Sequence, residues 1–202
     1  MKTLKTVYDT IERTANTVLT DRGSRFIAYA APVESVDAFR QFLAGIKKEH
    51  PKAVHHCFAY RLGTDGNLFR SSDDGEPSGT AGKPMLGQID SKGLTNTAVI
   101  VVRYFGGTLL GIPGLIHAYK TSASLVLQLV PVVRRNVGRR YALQFDYTAI
   151  DEVLGILRAY NCSISQKEIQ LFCSVIADIP LRQEPEILEK LGRISGFTAA
   201  IV

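Results

Sequence analysis

The sequence predicts an α+β protein of two domains, and three observations lead to this prediction. Domains commonly contain ~100–150 residues, and this chain has 202. The pattern of apolar residues is interrupted at residues 131–138, where a proline, a basic pair and a glycine occur together. Residues 1–137 carry 17 basic and 11 acidic side chains, a net charge of +6, whereas residues 138–202 carry 7 and 8, a net charge of −1. We therefore predict domains over residues 1–133 and 138–202.

The composition places the chain among globular proteins. It is 46% hydrophobic and 21% charged, which excludes a disordered, collagen-like or coiled-coil chain. The longest strongly apolar run, Ala98–Val102, is far below the ~18 residues that a membrane-spanning helix needs. No apolar stretch follows residues 1–6, and the three cysteines have no close spacing. We expect a cytoplasmic protein without a signal peptide, a disulfide framework or a membrane partner. The oligomeric state stays open.

The first region begins with a strand and a helix. Residues Arg25–Ala30 read as a short strand after a turn that ends at Gly23. Apolar residues then recur at helical spacing from Val36 to Ile46. Ser35 is a suitable N-cap for this helix, and Pro51 ends it.

The rest of the first region reads as a hairpin, a strand and a helix. Two strand patterns, Val54–Leu62 and Leu68–Ser71, flank the turn residues Thr64–Asn67. Residues Thr97–Tyr104 are apolar on both faces, which is typical of a central strand covered on both sides. Residues Leu115–Leu129 carry an apolar stripe opposite a polar one and predict an amphipathic helix.

The second region alternates between strand and helix patterns. Its six segments are the strand Arg140–Tyr147, a helix from Thr148, the strands Ser163–Lys167 and Gln170–Asp178, the helix Pro185–Leu191 and the strand Gly196–Val202. Asp151 completes a capping-box-like pattern with Thr148. The resulting βαββαβ order is the ferredoxin-like pattern.

An acidic, glycine-rich block, Ser71–Pro84, is the most unusual part of the sequence. Its composition favours neither helix nor strand and predicts a surface loop that carries a site. It does not match a phosphate-binding P-loop, because Pro77 replaces the first glycine and Pro84 follows Lys83. Asp73, Asp74 and Glu76 have the carboxylates that a hard cation such as magnesium prefers, but the spacing of an EF-hand loop is absent. The alternative is a tight turn held by its own side chains.

A second glycine-rich stretch joins the central strand to the following helix. Arg103 ends the strand, and four glycines lead into the helix that carries Lys120. Free backbone N–H groups at a helix start form an anion site, and glycines allow a ligand to approach closely. Close packing of the helix on the strand explains the glycines equally well.

The run His55-His56-Cys57 offers a possible nucleophile or zinc ligand. On a strand, His56 shares a face with apolar neighbours and reads as a hydrogen-bonded inter-layer histidine. A nucleophile pair of Cys57 and His55 lacks a third orienting group, and zinc lacks further ligands. We assign no catalytic residue, no metal and no cofactor.

Together these stretches resemble the YigZ/IMPACT family over about residues 1–130. The matching residues are Ser24-Arg25-Phe26, His55-His56-Cys57 with Ala59-Tyr60, Asp73–Pro84, Val101–Gly107, Leu110-Gly111, Gly114-Leu115 and Ala118-Tyr119. The sequence departs from the family pattern at Ile112-Pro113 and at His117. Pro113 has no N–H to donate, which weakens an anion site there.

The resemblance implies a ribosomal-protein-like βαβ sandwich as the first domain and, as the second, a ferredoxin-like domain similar to one of elongation factor G. It implies contact with RNA or the ribosome and a role in regulating translation, with protein partners in the eukaryotic branch. Tyr141, Phe145 and Tyr147 alternate on one strand and offer either an aromatic binding face or core residues.

Three functions follow from these features. The first is a non-catalytic RNA- or ribosome-binding module, favoured by the basic first domain. The second is a small enzyme that binds a phosphate or nucleotide at the two loops, and the third is a protein-interaction adaptor. The candidate ligand-binding residues are His55, Asp73, Asp74, Glu76, Ser78, Thr80, Lys83, Arg103, Gly106, Gly107 and Lys120.

Overall fold

A computed structural model describes residues 5–202 and divides them into two compact units. Residues Tyr8–Arg135 form the first unit, and residues 5–7 with Asn136–Val202 form the second. Residues 1–4 lie outside the described residues. They are part of the segment from which we expect no signal peptide.

Five helices and eleven strands occur along the described chain. In order they are β1 (Val7–Ile11), β2 (Ala15–Asp21), β3 (Ser24–Pro32), α1 (Val36–Glu49), β4 (His55–Leu62), β5 (Leu68–Ser72), α2 (Gly82–Ser91), β6 (Thr97–Tyr104), α3 (Gly111–Gln128), β7 (Val132–Asn136), β8 (Gly138–Asp146), α4 (Ile150–Ala159), β9 (Ser163–Glu168), β10 (Phe172–Pro180), α5 (Glu184–Gly192) and β11 (Thr198–Ile201).

The first unit is built on a five-stranded antiparallel sheet in the order β2-β3-β6-β4-β5. Helix α1 covers one face, where Phe39 and Ile46 pack on alternate residues of the central strands. Helices α2 and α3 cover the other face, where Met85 and Tyr119 are fully buried. Strand β6 is therefore buried on both sides, as its continuous apolar run predicts.

The sequence predicts most of this unit correctly. The Oγ of Ser35 caps α1 by accepting the N–H of Ala38 at 3.1 Å, and β4 and β5 form the expected hairpin. The prediction that Ser71–Pro84 favours no helix is wrong at its end, because α2 begins at Gly82. Strands β1, β2 and β7 were not predicted. Strands β1 and β7 pair with each other, and β7 occupies the expected interruption at residues 131–138.

The second unit has the ferredoxin-like arrangement that its βαββαβ order predicts. Its four-stranded antiparallel sheet has the order β11-β8-β10-β9. Its core lies on one face of this sheet, where α4 and α5 bury Val153, Leu157 and Ile187.

In the second unit the structure overturns one local prediction and decides between two alternatives for another feature. The helix after β8 begins with a 3-10 turn and then α4, whose N-cap is Ala149, so no capping box forms at Thr148. Of the two alternatives for the alternating aromatic residues, the core is confirmed for Tyr141 and Phe145, whereas Tyr147 is exposed. On the uncovered sheet face, β8 carries Ala142 and Gln144, and β10 carries Ile176 and Phe172, whose side chain is 72% exposed.

No helix among residues 5–202 is both long and apolar enough to cross a membrane. The three cysteines are free thiols, and two of them, Cys57 and Cys173, are buried.

Candidate functional site

Asp73 binds the backbone of its own loop. Its Oδ1 accepts the N–H groups of Ala81 and Gly82 at 2.9 and 2.8 Å, and its Oδ2 accepts the N–H of Gly79 at 2.8 Å. Burial alone would raise the pKa of the Asp73 carboxyl, but these three donors outweigh burial and lower it. The N-cap residue of α2, Ala81, has no side chain that caps the helix. Asp73, nine residues before Gly82, takes this role and satisfies the N–H groups at the start of α2.

Asp74 ties the same loop to the start of β4. Its backbone is left-handed, with φ of 42°, and its Oδ2 accepts the N–H of His56 at 2.7 Å. The Nδ1 of His55 donates to the Asp74 carbonyl oxygen at 2.8 Å. Thr80 closes the loop by donating from its hydroxyl to the carbonyl oxygen of Pro77 at 2.6 Å. These three contacts match the self-bonded turn that we held as the alternative to a ligand site.

A buried ion pair connects the two glycine-rich loops. The Nη1 of Arg103 donates to both carboxylate oxygens of Glu76, at 2.7 and 3.0 Å, and the two side chains are 7% and 3% exposed. The hydroxyl of Tyr119 donates to the same carboxylate at 2.7 Å. The Nε of Arg103 has no partner within the described part of the chain. Glu76 therefore joins the acidic block to strand β6 and helix α3.

Cys57 lies against this network in a state that does not suit a nucleophile. Its thiol donates to the carbonyl oxygen of Asp73 at 2.9 Å and lies 3.4 Å from the Tyr119 hydroxyl. Burial raises the pKa of the Cys57 thiol to about 12, so the thiolate is scarce at neutral pH. His55 on the same face is bonded to Asp74 rather than to the thiol. His56 is buried, and its Nε2 donates to the carbonyl oxygen of His50 at 3.2 Å, as predicted for an inter-layer histidine.

The second glycine-rich loop is held at its start and exposed beyond it. The N–H of Gly106 donates to the buried Ser24 hydroxyl at 3.2 Å. A Cβ on Gly106 would lie 1.9 Å from the carbonyl carbon of Gly23, so only glycine fits this contact between two turns. The guanidinium of Arg103 lies 5.6 Å from the ring centre of Phe105, which faces solvent.

The predicted site residues fall into two groups. Asp73, Asp74, Glu76, Thr80, Arg103 and His55 all form hydrogen bonds within the protein. Ser78, Lys83, Gly106, Gly107 and Lys120 are exposed, although the N–H of Gly106 is bonded internally. The structure does not show Lys83 or Lys120 joined to Arg103 in one cluster.

Sequence reasoning missed two members of the buried network, Ser24 and Tyr119. Both occur in the stretches that carry the family resemblance, and that was the available signal. Among residues 5–202 no group of three His, Cys, Asp or Glu side chains is arranged to hold a metal ion.

These features define a class: two-unit α+β proteins in which a buried Glu–Arg pair joins an acidic glycine-rich loop to a glycine-rich strand–helix loop. A family model, the Impact N-terminal domain, matches residues 22–127, which include the whole network. The chain belongs to the IMPACT family.

Relatives extend this similarity beyond the first unit. The chain is 36% identical over 174 residues to IMPACT family member YigZ of Escherichia coli (strain K12), covering 85% of each chain. It is 38% identical over 151 residues to IMPACT family member YvyE of Bacillus subtilis (strain 168), covering 75% of this chain and 70% of the relative. A solved crystal structure of a hypothetical protein is similar with a TM-score of 0.77 at 32% identity over 98% of both chains.

Proposed function

We propose that this protein is a non-catalytic RNA-binding protein that associates with the ribosome in the cytoplasm and regulates translation. Membership of the IMPACT family supports the link to translation, which the resemblance implied. The internal bonds of Asp73 and Glu76 in the acidic block, and of Arg103 and Cys57 beside it, support a binding role rather than a catalytic one for this region.

The single observation that carries RNA binding is a basic face on the α1 side of the first unit. We define the basic face as Arg25, Lys47, Lys48 and Lys52, which are all exposed. Among the described residues none of these four side chains forms an ion pair. Unpaired cations gathered on one face attract a polyanion, and each phosphate contact releases counterions.

The fold gathers these cations around one end of helix α1. Lys47 and Lys48 lie in its last turn, and Lys52 follows shortly after it. Strand β3 places Arg25 opposite Tyr104 on the face that α1 covers. The Tyr104 hydroxyl lies 3.0 Å from Nδ1 of His50, the C-cap of α1, so the strand end that carries Arg25 meets this helix end.

The test is co-sedimentation of the full chain with purified bacterial ribosomes across a series of salt concentrations. We expect binding at about 50 mM salt that falls steeply as salt rises. The variant Lys47→Glu/Lys48→Glu/Lys52→Glu should flatten the slope of log K against log salt by about 2, since each lost phosphate contact contributes about 0.7. It should also abolish the effect of the protein on the yield of a cell-free translation reaction.

A matched control makes the same change of charge at three residues of the second unit. Arg158→Glu/Lys167→Glu/Arg182→Glu alters three exposed cations there and should leave the salt slope unchanged. The proposal fails if the unmodified chain does not sediment with ribosomes at about 50 mM salt, or if both triple variants behave alike.

A further inference from the structure

We propose that an exposed apolar patch on the α3 side of the first unit binds an acidic, amphipathic segment of a partner protein. The patch consists of Phe105, Leu109, Ile112 and Ile116, and Leu109 is 82% exposed while Phe105 and Ile112 are each 58% exposed. Single exposed apolar side chains are normal on a soluble protein, whereas a cluster rimmed by polar residues marks an interaction site, and these four lie within twelve residues of one another. This inference goes beyond the proposed RNA binding, because that binding uses the basic face on the α1 side of the sheet.

The start of the patch is held in place before any partner arrives. Phe105 lies between Arg103, whose guanidinium is fixed by Glu76, and Gly106, whose N–H is bonded to Ser24. The turn at Gly23 packs directly on Gly106. A surface that is already ordered costs less conformational entropy on binding, so its apolar area contributes more fully to affinity.

Helix α3 displays the other end of the patch in a regular way. Ile112 and Ile116 lie one turn apart, and Lys120 follows one turn later on the same exposed stripe. A row with this spacing matches apolar side chains one turn apart on a partner helix.

The charge around the patch selects an acidic partner. The sequence has no aspartate or glutamate between Asp90 and Asp146, and this interval includes the whole patch and all of α3. His117 and Lys120 are exposed beside Ile116. Arg22 lies in the turn that touches Gly106. Asp21, the residue before it, is the carboxylate nearest to Arg22 in the sequence. A segment with apolar anchors and flanking carboxylates fits this pattern.

The same observations disfavour two other occupants. RNA makes use of aromatic and cationic side chains, but three of the four patch residues are aliphatic. A second copy packed by two-fold symmetry would place the same cationic side chains, Lys120 and Arg22, against themselves.

The experiment places a photo-crosslinking amino acid at position 109 of the full chain and irradiates it in a cell lysate. Position 68 is the control, because Leu68 is also an exposed leucine, at 52%, but lies on strand β5. We expect an adduct specific to position 109, with a cross-linked peptide that contains apolar residues flanked by aspartate or glutamate. A synthetic peptide of that segment should bind the purified chain, and Leu109→Ser/Ile112→Ser should weaken it by about tenfold or more.

Circular dichroism of the serine variant checks that it is folded. The variant Lys120→Glu should also weaken the binding of the peptide. The inference is overturned by an adduct to RNA, by an adduct to a second copy, or by no adduct beyond that of position 68. It is also overturned if the peptide binds the serine variant as tightly as the unmodified chain. Ribosome co-sedimentation of this variant should be unchanged, which separates a failure here from a failure of the proposed function.

Discussion

At the scale of single residues, the Glu76–Arg103 pair specifies the arrangement of the two loops. Removing two charges from water is costly, and a buried pair often adds little net stability compared with apolar residues. This pair is incompletely satisfied, because the Nε of Arg103 has no partner among the described residues. Its value lies in geometry, since the carboxylate is shared by Arg103 from β6 and Tyr119 from α3. A pair that orients three elements is expensive to break on one side only.

Replacing Glu76 by glutamine should therefore destabilise the protein strongly. Glu76→Gln keeps the side-chain shape but leaves the Arg103 guanidinium buried without its counter-charge, at a cost of about 3–5 kcal/mol. Urea denaturation followed by circular dichroism gives the free energy of unfolding. The exposed pair of Glu189 and Arg193 gives the control, because Glu189→Gln should cost less than about 1 kcal/mol. Equal losses in the two variants would contradict a structural role for the buried pair.

The residue types of the acidic block could be read from the sequence, but their roles could not. Aspartate, glutamate and arginine near glycines suit a ligand as well as they suit internal bonds. The donors to Asp73 lie six to nine residues downstream, and Arg103 is 27 residues from Glu76. Such pairings depend on the folded path of the chain, which carries no periodic signal. His56 was predicted correctly because strand alternation alone places it between apolar neighbours.

At the scale of elements, helix α2 shows why a glycine- and proline-rich start conceals a helix. Pro84 lies in the first turn, where its missing N–H would have no helical partner in any case. Gly82 lies against β5, where a Cβ would come within 2.7 Å of the Ser72 backbone nitrogen. Both residues disfavour a helix by propensity, and close packing explains the glycine. In contrast, α1 has a serine cap and uniform apolar spacing, so its bounds were predicted closely.

Two glycines of α2 should respond in opposite ways to the same substitution. Gly82→Ala should destabilise the protein, because the new methyl group meets backbone atoms of β5 that cannot move aside cheaply. Gly87→Ala should stabilise it by roughly 0.5–1 kcal/mol, because nothing lies within 4 Å of a Cβ there and alanine favours a helix. Thermal unfolding of both variants measures the two shifts. If Gly82→Ala melts as high as Gly87→Ala, the close contact between α2 and β5 is not required.

At the scale of the whole molecule, the free energy of unfolding depends on pH in two separate ranges, each set by one titrating group. Burial is the main cause that lowers the pKa of His56 below its ordinary value of 6.5. The backbone donors lower the pKa of Asp73 below 3.8, against the effect of burial. In both cases the unfolded chain takes up the proton first as the pH falls. Folding therefore loses stability on acidification in each window, by linkage.

The free energy of unfolding should accordingly fall in two steps as the solution is acidified. The His56 step begins as the pH drops below about 6.5 and levels off below the folded pKa of His56. The Asp73 contribution is fully present above the ordinary carboxyl range and is lost as the pH falls through the folded pKa of Asp73. Urea denaturation from pH 7.5 to pH 3 measures the profile.

Against the unmodified chain, His56→Gln should remove the upper step, because glutamine still donates to the His50 carbonyl without taking up a proton. Asp73→Asn should lower the free energy of unfolding at pH 7, and its deficit should shrink toward pH 3. A His56→Gln profile parallel to that of the unmodified chain between pH 7 and pH 5 would show that another group controls the upper window.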